Sequence, residues 1–139
     1  MSSLNPTRAT VLVVDDSADT RVVLRKLLER GGCRVLEAAN GREAVESAKS
    51  HCPDLIIMDL NMPHVDGLSA TEQIRGLKDW CESVPIIAIT AHHAYGMGEA
   101  ALEAGCNEYM TKPLDFDLLA QVLRKYLRTD FLLGRTHAP

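Results

Sequence analysis

The strongest constraint on this chain comes from four short runs that are apolar at nearly every position: Ala9 to Val14, Val35 to Ala38, Leu55 to Met58 and Ile86 to Ile89. A strand with one wet face alternates apolar and polar residues. Runs without that alternation need cover on both faces, the situation of a parallel sheet with helices above and below. A shorter run at Glu108 to Met110 is a candidate fifth strand. No proline interrupts any of the runs, which suits strands inside a sheet.

Helix-period segments fill the intervals. In Ala18 to Arg30, the residues Thr20, Val23, Leu24, Leu27 and Leu28 fall within one arc at about 100° per residue, and Gly31-Gly32 supplies a stop. The spacing predicts further helices over Glu43 to Ser50, before Pro53; Leu68 to Leu77, after a turn at Asp66-Gly67; Glu99 to Ala104, stopped by Gly105; and Phe116 to Leu127, with Asp115 as N-cap. Strand and helix thus alternate five times. Short connections and right-handed crossovers make that an α/β three-layer sandwich around a parallel five-stranded sheet.

At 139 residues and a formal charge of −4 the chain is one domain with enough length for its own core. Its acidic and basic residues are interspersed. That leaves no footprint for direct nucleic-acid binding, and no apolar run approaches a membrane span. The first residues, Met1 to Arg8, lack the charged start and apolar stretch of a secretory signal, so a cytoplasmic location is expected. Cys33, Cys52, Cys81 and Cys106 form no C-x-x-C pair and read as ordinary buried or half-buried thiols. His92 and His93 are neighbours in sequence, but adjacent residues in an extended segment point to opposite sides.

The chemistry gathers at the ends of the strands. Asp15 and Asp16 follow the first run, Asp59 the third, Thr90 ends the fourth and Lys112 follows the fifth. In a sheet of order 2-1-3-4-5 the carboxyl ends of strands one, three, four and five converge beside the switch point between strands one and three. Three acids, a hydroxyl and an amine would then meet. Crowded carboxylates repel one another, and a hard divalent cation such as Mg²⁺, which prefers oxygen ligands, neutralises them. A carboxylate beside that cation can attack phosphorus and form an acyl phosphate. Asp59, alone on its loop, is the best nucleophile; the adjacent pair Asp15 and Asp16 suits the metal.

At these positions the chain resembles the receiver domain of bacterial two-component response regulators, over roughly Ala9 to Arg128. The resemblance is carried by Val13-Val14-Asp15-Asp16, Met58-Asp59-Leu60-Asn61-Met62-Pro63, Asp66-Gly67, Ile89-Thr90-Ala91 and Tyr109-Met110-Thr111-Lys112-Pro113. It implies the flavodoxin-like (βα)5 fold. It also implies that Asp59 accepts phosphate from a phosphohistidine on a sensor histidine kinase or histidine phosphotransfer protein. By the same resemblance, Asp15, Asp16, Asp59 and the Asn61 carbonyl bind Mg²⁺, while Thr90 and Lys112 meet the phosphoryl oxygens. A cis Lys112-Pro113 bond is implied as well.

The family further implies a switch in which Thr90 moves inward and Tyr109 turns with it, altering the surface that a downstream protein target reads. By the same resemblance, His92 stands where the family tunes loss of phosphate. The glycines of Ala94-Tyr95-Gly96-Met97-Gly98 should soften the start of helix four, each being roughly 1 kcal/mol worse than alanine. On the first helix, Val22 and Ala18 lie on the polar side, beside the pocket, as candidate contacts for the phosphotransfer partner. Three alternatives stand beside this reading. An aspartyl-phosphate phosphatase of the haloacid dehalogenase type would need an acid where Asn61 stands. A flavodoxin-like nucleotide or flavin binder would need a phosphate loop, and neither G-x-G-x-x-G nor a P-loop is present. A degenerate receiver would act by contacts alone. The expected division is a tail over 1–8, the receiver over 9–128 and a tail or truncated linker over 129–139, as a monomer or weak dimer that turns over no external substrate.

Overall fold

The computed structural model describes residues 8–62, 67–77, 79–91 and 96–127. Five strands, β1 (Thr10–Val14), β2 (Arg34–Ala38), β3 (Leu55–Asp59), β4 (Ile86–Thr90) and β5 (Glu108–Thr111), alternate with five helices. These are α1 (Ala18–Arg30), α2 (Gly41–His51), α3 (Gly67–Arg75), α4 (Met97–Ala104) and α5 (Phe116–Leu127), with a 3-10 turn at Asp79–Glu82 before β4. All strand pairs are parallel and the order is β2-β1-β3-β4-β5, as expected.

The unbroken apolar runs have the predicted cause. Within each central strand, successive side chains enter two different cores. Leu12, Val14, Ile56, Met58, Ile86 and Ala88 pack with α2, α3 and α4 through Ala44, Ala48, Ala70, Ile74 and Ala101. Val11, Val13, Leu55, Ile57, Ile87 and Ile89 pack on the other face with Leu24 and Leu28 of α1 and Leu119, Val122 and Leu123 of α5. Each fully buried Leu or Ile contributes about 1.5–3 kcal/mol of transfer free energy. β2 is an edge strand and is only partly covered: Val35 and Ala38 are buried, one in each core, while Arg34 and Glu37 are exposed.

Capping chemistry sets the helix ends. Ser17 Oγ accepts from Thr20 N (3.2 Å) at α1, Asn40 Oδ1 from Glu43 N (2.8 Å) at α2, and Asp115 Oδ1 from Asp117 N and Leu118 N at α5. The Asn40 cap starts α2 at Gly41, two residues before the periodic apolar pattern begins. Helix α3 runs one residue earlier than its predicted start and stops at Arg75, while α4 begins at Met97 and so includes Gly98.

Two expectations about exposure fail. Val23, placed in the buried arc of α1, is 48 % exposed, because the helix meets the sheet along the narrower line of Leu24 and Leu28. Cys52 is exposed at the left-handed C-cap of α2. Pro63, Asp66, His92, His93, Ala94 and Tyr95 lie outside the described residues, as do residues 1–7 and 128–139.

Candidate functional site

Because every strand runs the same way, their carboxyl ends share one edge, and the loops leaving β1, β3, β4 and β5 meet there. Main-chain hydrogen bonds continue the ladder past the strand ends: Asp15 N donates to Ala38 O (3.1 Å), Leu60 N to Ile89 O (2.9 Å) and Lys112 N to Thr90 O (2.9 Å). The residues that leave the sheet are therefore held in register with it.

The acids predicted to meet do so. Asp15, Asp16 and Asp59 each offer a carboxylate oxygen, and these oxygens lie within 4.8 Å of one another. Asp15 and Asp59 are buried, the latter only 2 % exposed, whereas Asp16 faces solvent. Burial first, then the neighbouring Asp59 charge, pushes the Asp15 carboxyl above its ordinary range, although the Ser17 N–H (2.8 Å) pulls the other way. Anionic oxygens crowded into a half-dry pocket suit a hard divalent cation, and the donor set fits Mg²⁺.

Across the pocket, Lys112 Nζ lies 3.4 Å from Asp59 Oδ1, and the same oxygen accepts from Asn61 N at 2.9 Å. The Lys112-Pro113 peptide is cis. Thr90 is 2 % exposed, and among the described residues its hydroxyl oxygen has no hydrogen-bond partner. Tyr109 on β5 is 40 % exposed; its ring lies against Gly98 of α4.

Two contributions were not foreseen. The Asn61 side chain, considered only for its main chain and its lack of acidity, accepts from Ala91 N at 2.6 Å and so ties the β3 loop to the β4 loop. Gly67, read as half of a turn, brings the start of α3 onto the Asp59 loop: a Cβ there would lie 2.8 Å from both the Asp59 carbonyl oxygen and Leu60 Cδ2. A glycine opening a helix directly after a catalytic-looking loop is the only sequence signal for that approach.

Residues 11–124 match the family described as the response regulator receiver domain. The chain belongs to that family. It is 33 % identical over 118 residues to the polar-differentiation response regulator DivK of Brucella anthropi, covering 85 % of this chain and 95 % of that protein. The receiver domain of sensor histidine kinase PA1611 from Pseudomonas aeruginosa, solved with a magnesium ion coordinated in its active-site cleft, superposes with a TM-score of 0.80 at 36 % identity, covering 88 % of this chain and 99 % of that one. Vibrio cholerae chemotaxis protein CheY4 superposes with a TM-score of 0.79 at 29 % identity, covering 86 % and 98 %. The flavodoxin-like fold of receiver domains is the fold described above, and as a receiver the chain is a phosphoacceptor signalling domain of a two-component system. The comparisons lend the dehalogenase-type alternative no support.

Proposed function

We propose that Asp59 is the phosphoacceptor of this receiver. Its carboxylate oxygen attacks the phosphorus of a phosphohistidine on a sensor histidine kinase or histidine phosphotransfer protein; the P–N bond breaks, the imidazole leaves, and an aspartyl phosphate forms. The observation that carries this reading is the buried Asp59 carboxylate, set in the acid cluster with Lys112 Nζ 3.4 Å away and, on the adjoining strand end, a buried Thr90 hydroxyl that has no partner among the described residues.

Each residue has a task that its placement supports. Asp15, Asp16 and Asp59, with the Asn61 carbonyl, would hold Mg²⁺. Bound there, the ion supplies positive charge to the oxygens of the transferring group. Lys112 pairs first with the free carboxylate and then with its phosphate, and the Thr90 hydroxyl donates to a phosphoryl oxygen. Thr90 and Tyr109 form the switch, so that engagement of Thr90 is read out at the β5 surface. The receiver spans 9–128, acts in the cytoplasm with its donor, turns over no external substrate and signals through a downstream protein.

The donor's approach has a physical footing. An open groove of about 340 Å³ runs between α1 and the loop after β5, lined by Thr20, Val23, Pro113, Leu114 and Phe116, with Asp19 and Lys112 as its charged members. Val22, next to Val23 in sequence, is also exposed, at 45 %. An apolar strip ending at the lysine of the acid pocket fits a helical phosphohistidine carrier that must cover the pocket to exclude water.

The test is intact mass after incubation with acetyl phosphate, with and without Mg²⁺, for the protein and for Asp59→Asn. The expected result is a Mg²⁺-dependent gain of one phosphoryl group that vanishes in the variant. A folded protein that takes up no phosphate under any metal condition would leave a degenerate receiver acting by contacts alone.

A further inference from the structure

The acid pocket depends on the loop between β1 and α1 presenting two consecutive carboxylates toward a third on β3. Asp15 in that loop is fixed at its main chain and its side chain. Its N–H donates to Ala38 O, its side-chain Oδ1 accepts from Ser17 N at 2.8 Å, and its main-chain carbonyl accepts from Arg21 Nη1 at 2.7 Å. The Arg21 guanidinium is itself immobilised, with Nε on Glu37 Oε1 at 2.8 Å and a side chain only 18 % exposed. Glu37, on β2, is shared with Arg25 (2.6 Å), which also pairs with Glu29 (2.9 Å).

We propose that Arg21 is a positioning residue for cation binding: braced by Glu37, it holds the Asp15 carbonyl and thereby aims the Asp15 and Asp16 carboxylates into the pocket. The inference rests on the metal reading given above. A planar guanidinium suits the task because its nitrogens can reach a carboxylate on one edge and a carbonyl on another at once, which a single ammonium does poorly. The bond to a main-chain oxygen sets the direction of the loop without occupying a ligand atom. Its like charge opposes a bound cation, but that charge is compensated by Glu37 at 2.8 Å, so orientation is the larger effect.

The two contributions have opposite signs and can be separated. Mg²⁺ binding to the full chain is measured by titration calorimetry, together with unfolding curves in the absence of metal. Arg21→Met and Arg21→Lys should both weaken Mg²⁺ binding by about tenfold, the low end for groups that orient metal ligands. Glu37→Gln, which keeps Arg21 but loosens its brace, should weaken binding less. Arg25→Met, which disturbs the same ion cluster on the side away from the loop, should leave the affinity unchanged. Should Arg21→Met prove unfolded, Arg21→Lys and Glu37→Gln carry the comparison. Tighter binding in Arg21→Met with no change in Arg21→Lys would mean that Arg21 acts only by charge, and equal affinities throughout would mean that it does not act on the site; either overturns the inference. A wild-type protein that binds no Mg²⁺ would overturn the metal reading and this inference with it.

Discussion

Gly98 offers the sharpest test of the packing around Tyr109. It sits in the first turn of α4, buried, where alanine would ordinarily stabilise a helix by about 0.5–1 kcal/mol. In this protein a Cβ at position 98 would lie 2.6 Å from Tyr109 Cε2 and closer still to Cζ and Cε1. Overpacking of that kind costs typically about 1–3 kcal/mol. Because the clashing atoms are the far end of a side chain that is 40 % exposed, the ring can swing outward, which points to the lower half of that range. Gly98→Ala should therefore range from neutral to destabilising by about 1.5 kcal/mol in the wild-type background, and should stabilise by about 0.5–1 kcal/mol in Tyr109→Ala. Urea unfolding followed by circular dichroism, on all four proteins without metal, gives the coupling between the two positions; about 1 kcal/mol or more is expected from the contact. Equal shifts in the two backgrounds would refute the reasoning, since Gly98 would then be nothing more than a weak helix residue.

Other outcomes follow from the same structure. Mg²⁺ should raise the thermal midpoint, by the equivalent of about 2.7 kcal/mol at one hundred times the dissociation constant. Asp15→Asn should stabilise the metal-free protein, by removing a buried and repelled charge, and abolish the metal-dependent increment in the same scan. The Glu37 carboxyl is held below its ordinary range by hydrogen bonds from Arg25 and then Arg21, so its folded value is the depressed one. Its stabilising contribution is present above the unfolded value and is lost as pH falls through the folded one. Glu37→Gln should thus lower stability at neutral pH, by less than about 1 kcal/mol for so exposed a cluster, and converge with the wild type in acid, as urea midpoints across pH would show. Burial pushes the Cys33 thiol up to about 12 and the Cys106 thiol upward, and Cys81 is buried, whereas Cys52 is exposed. A thiol reagent at neutral pH should modify Cys52 rapidly in the native protein and all four cysteines only after unfolding, read by intact mass.

The sheet order and the approach of Asp15, Asp16, Asp59 and Lys112 were legible because parallel βαβ units permit few arrangements, and each of those residues sits at a strand end. Periodicity carried the helices but not their depth of burial. Val23 falls in the same 100° arc as Leu24, yet α1 touches the sheet along one line only, and the remainder of the arc faces the groove lined by Phe116. Gly98 could be scored from sequence only as a helix weakness; its reason is a ring eleven residues away, on another element. Arg21 and the Asn61 carboxamide act on main-chain atoms of loops, and such contacts follow no period. Arg21 and Arg25 stand one turn apart on α1, and nothing in their spacing reveals that Arg21 bonds both Glu37 and the Asp15 carbonyl while Arg25 bonds the other Glu37 oxygen.

The donors around Asp59 differ in how committed they are, and the difference bears on how an anion would be received there. Among the described residues the buried Thr90 Oγ has no partner, and a buried hydroxyl left so costs about 1–3 kcal/mol. At 3.4 Å, Lys112 Nζ is farther from Asp59 Oδ1 than a well-formed charge-assisted hydrogen bond of 2.7–2.9 Å. The Ala91 N–H, in contrast, is fully engaged by Asn61 Oδ1 at 2.6 Å. In the proposed reaction, new acceptor oxygens at Asp59 would recruit Thr90 without breaking a bond to any described residue and would shorten the Lys112 contact, whereas recruiting Ala91 would first require Asn61 to turn away. The hydroxyl would respond first in the proposed reaction. Its strand, β4, pairs directly with β5, where Thr90 stands in register with Thr111 and Ala88 with Tyr109, which gives the proposed switch a direct path from Thr90 to the aromatic.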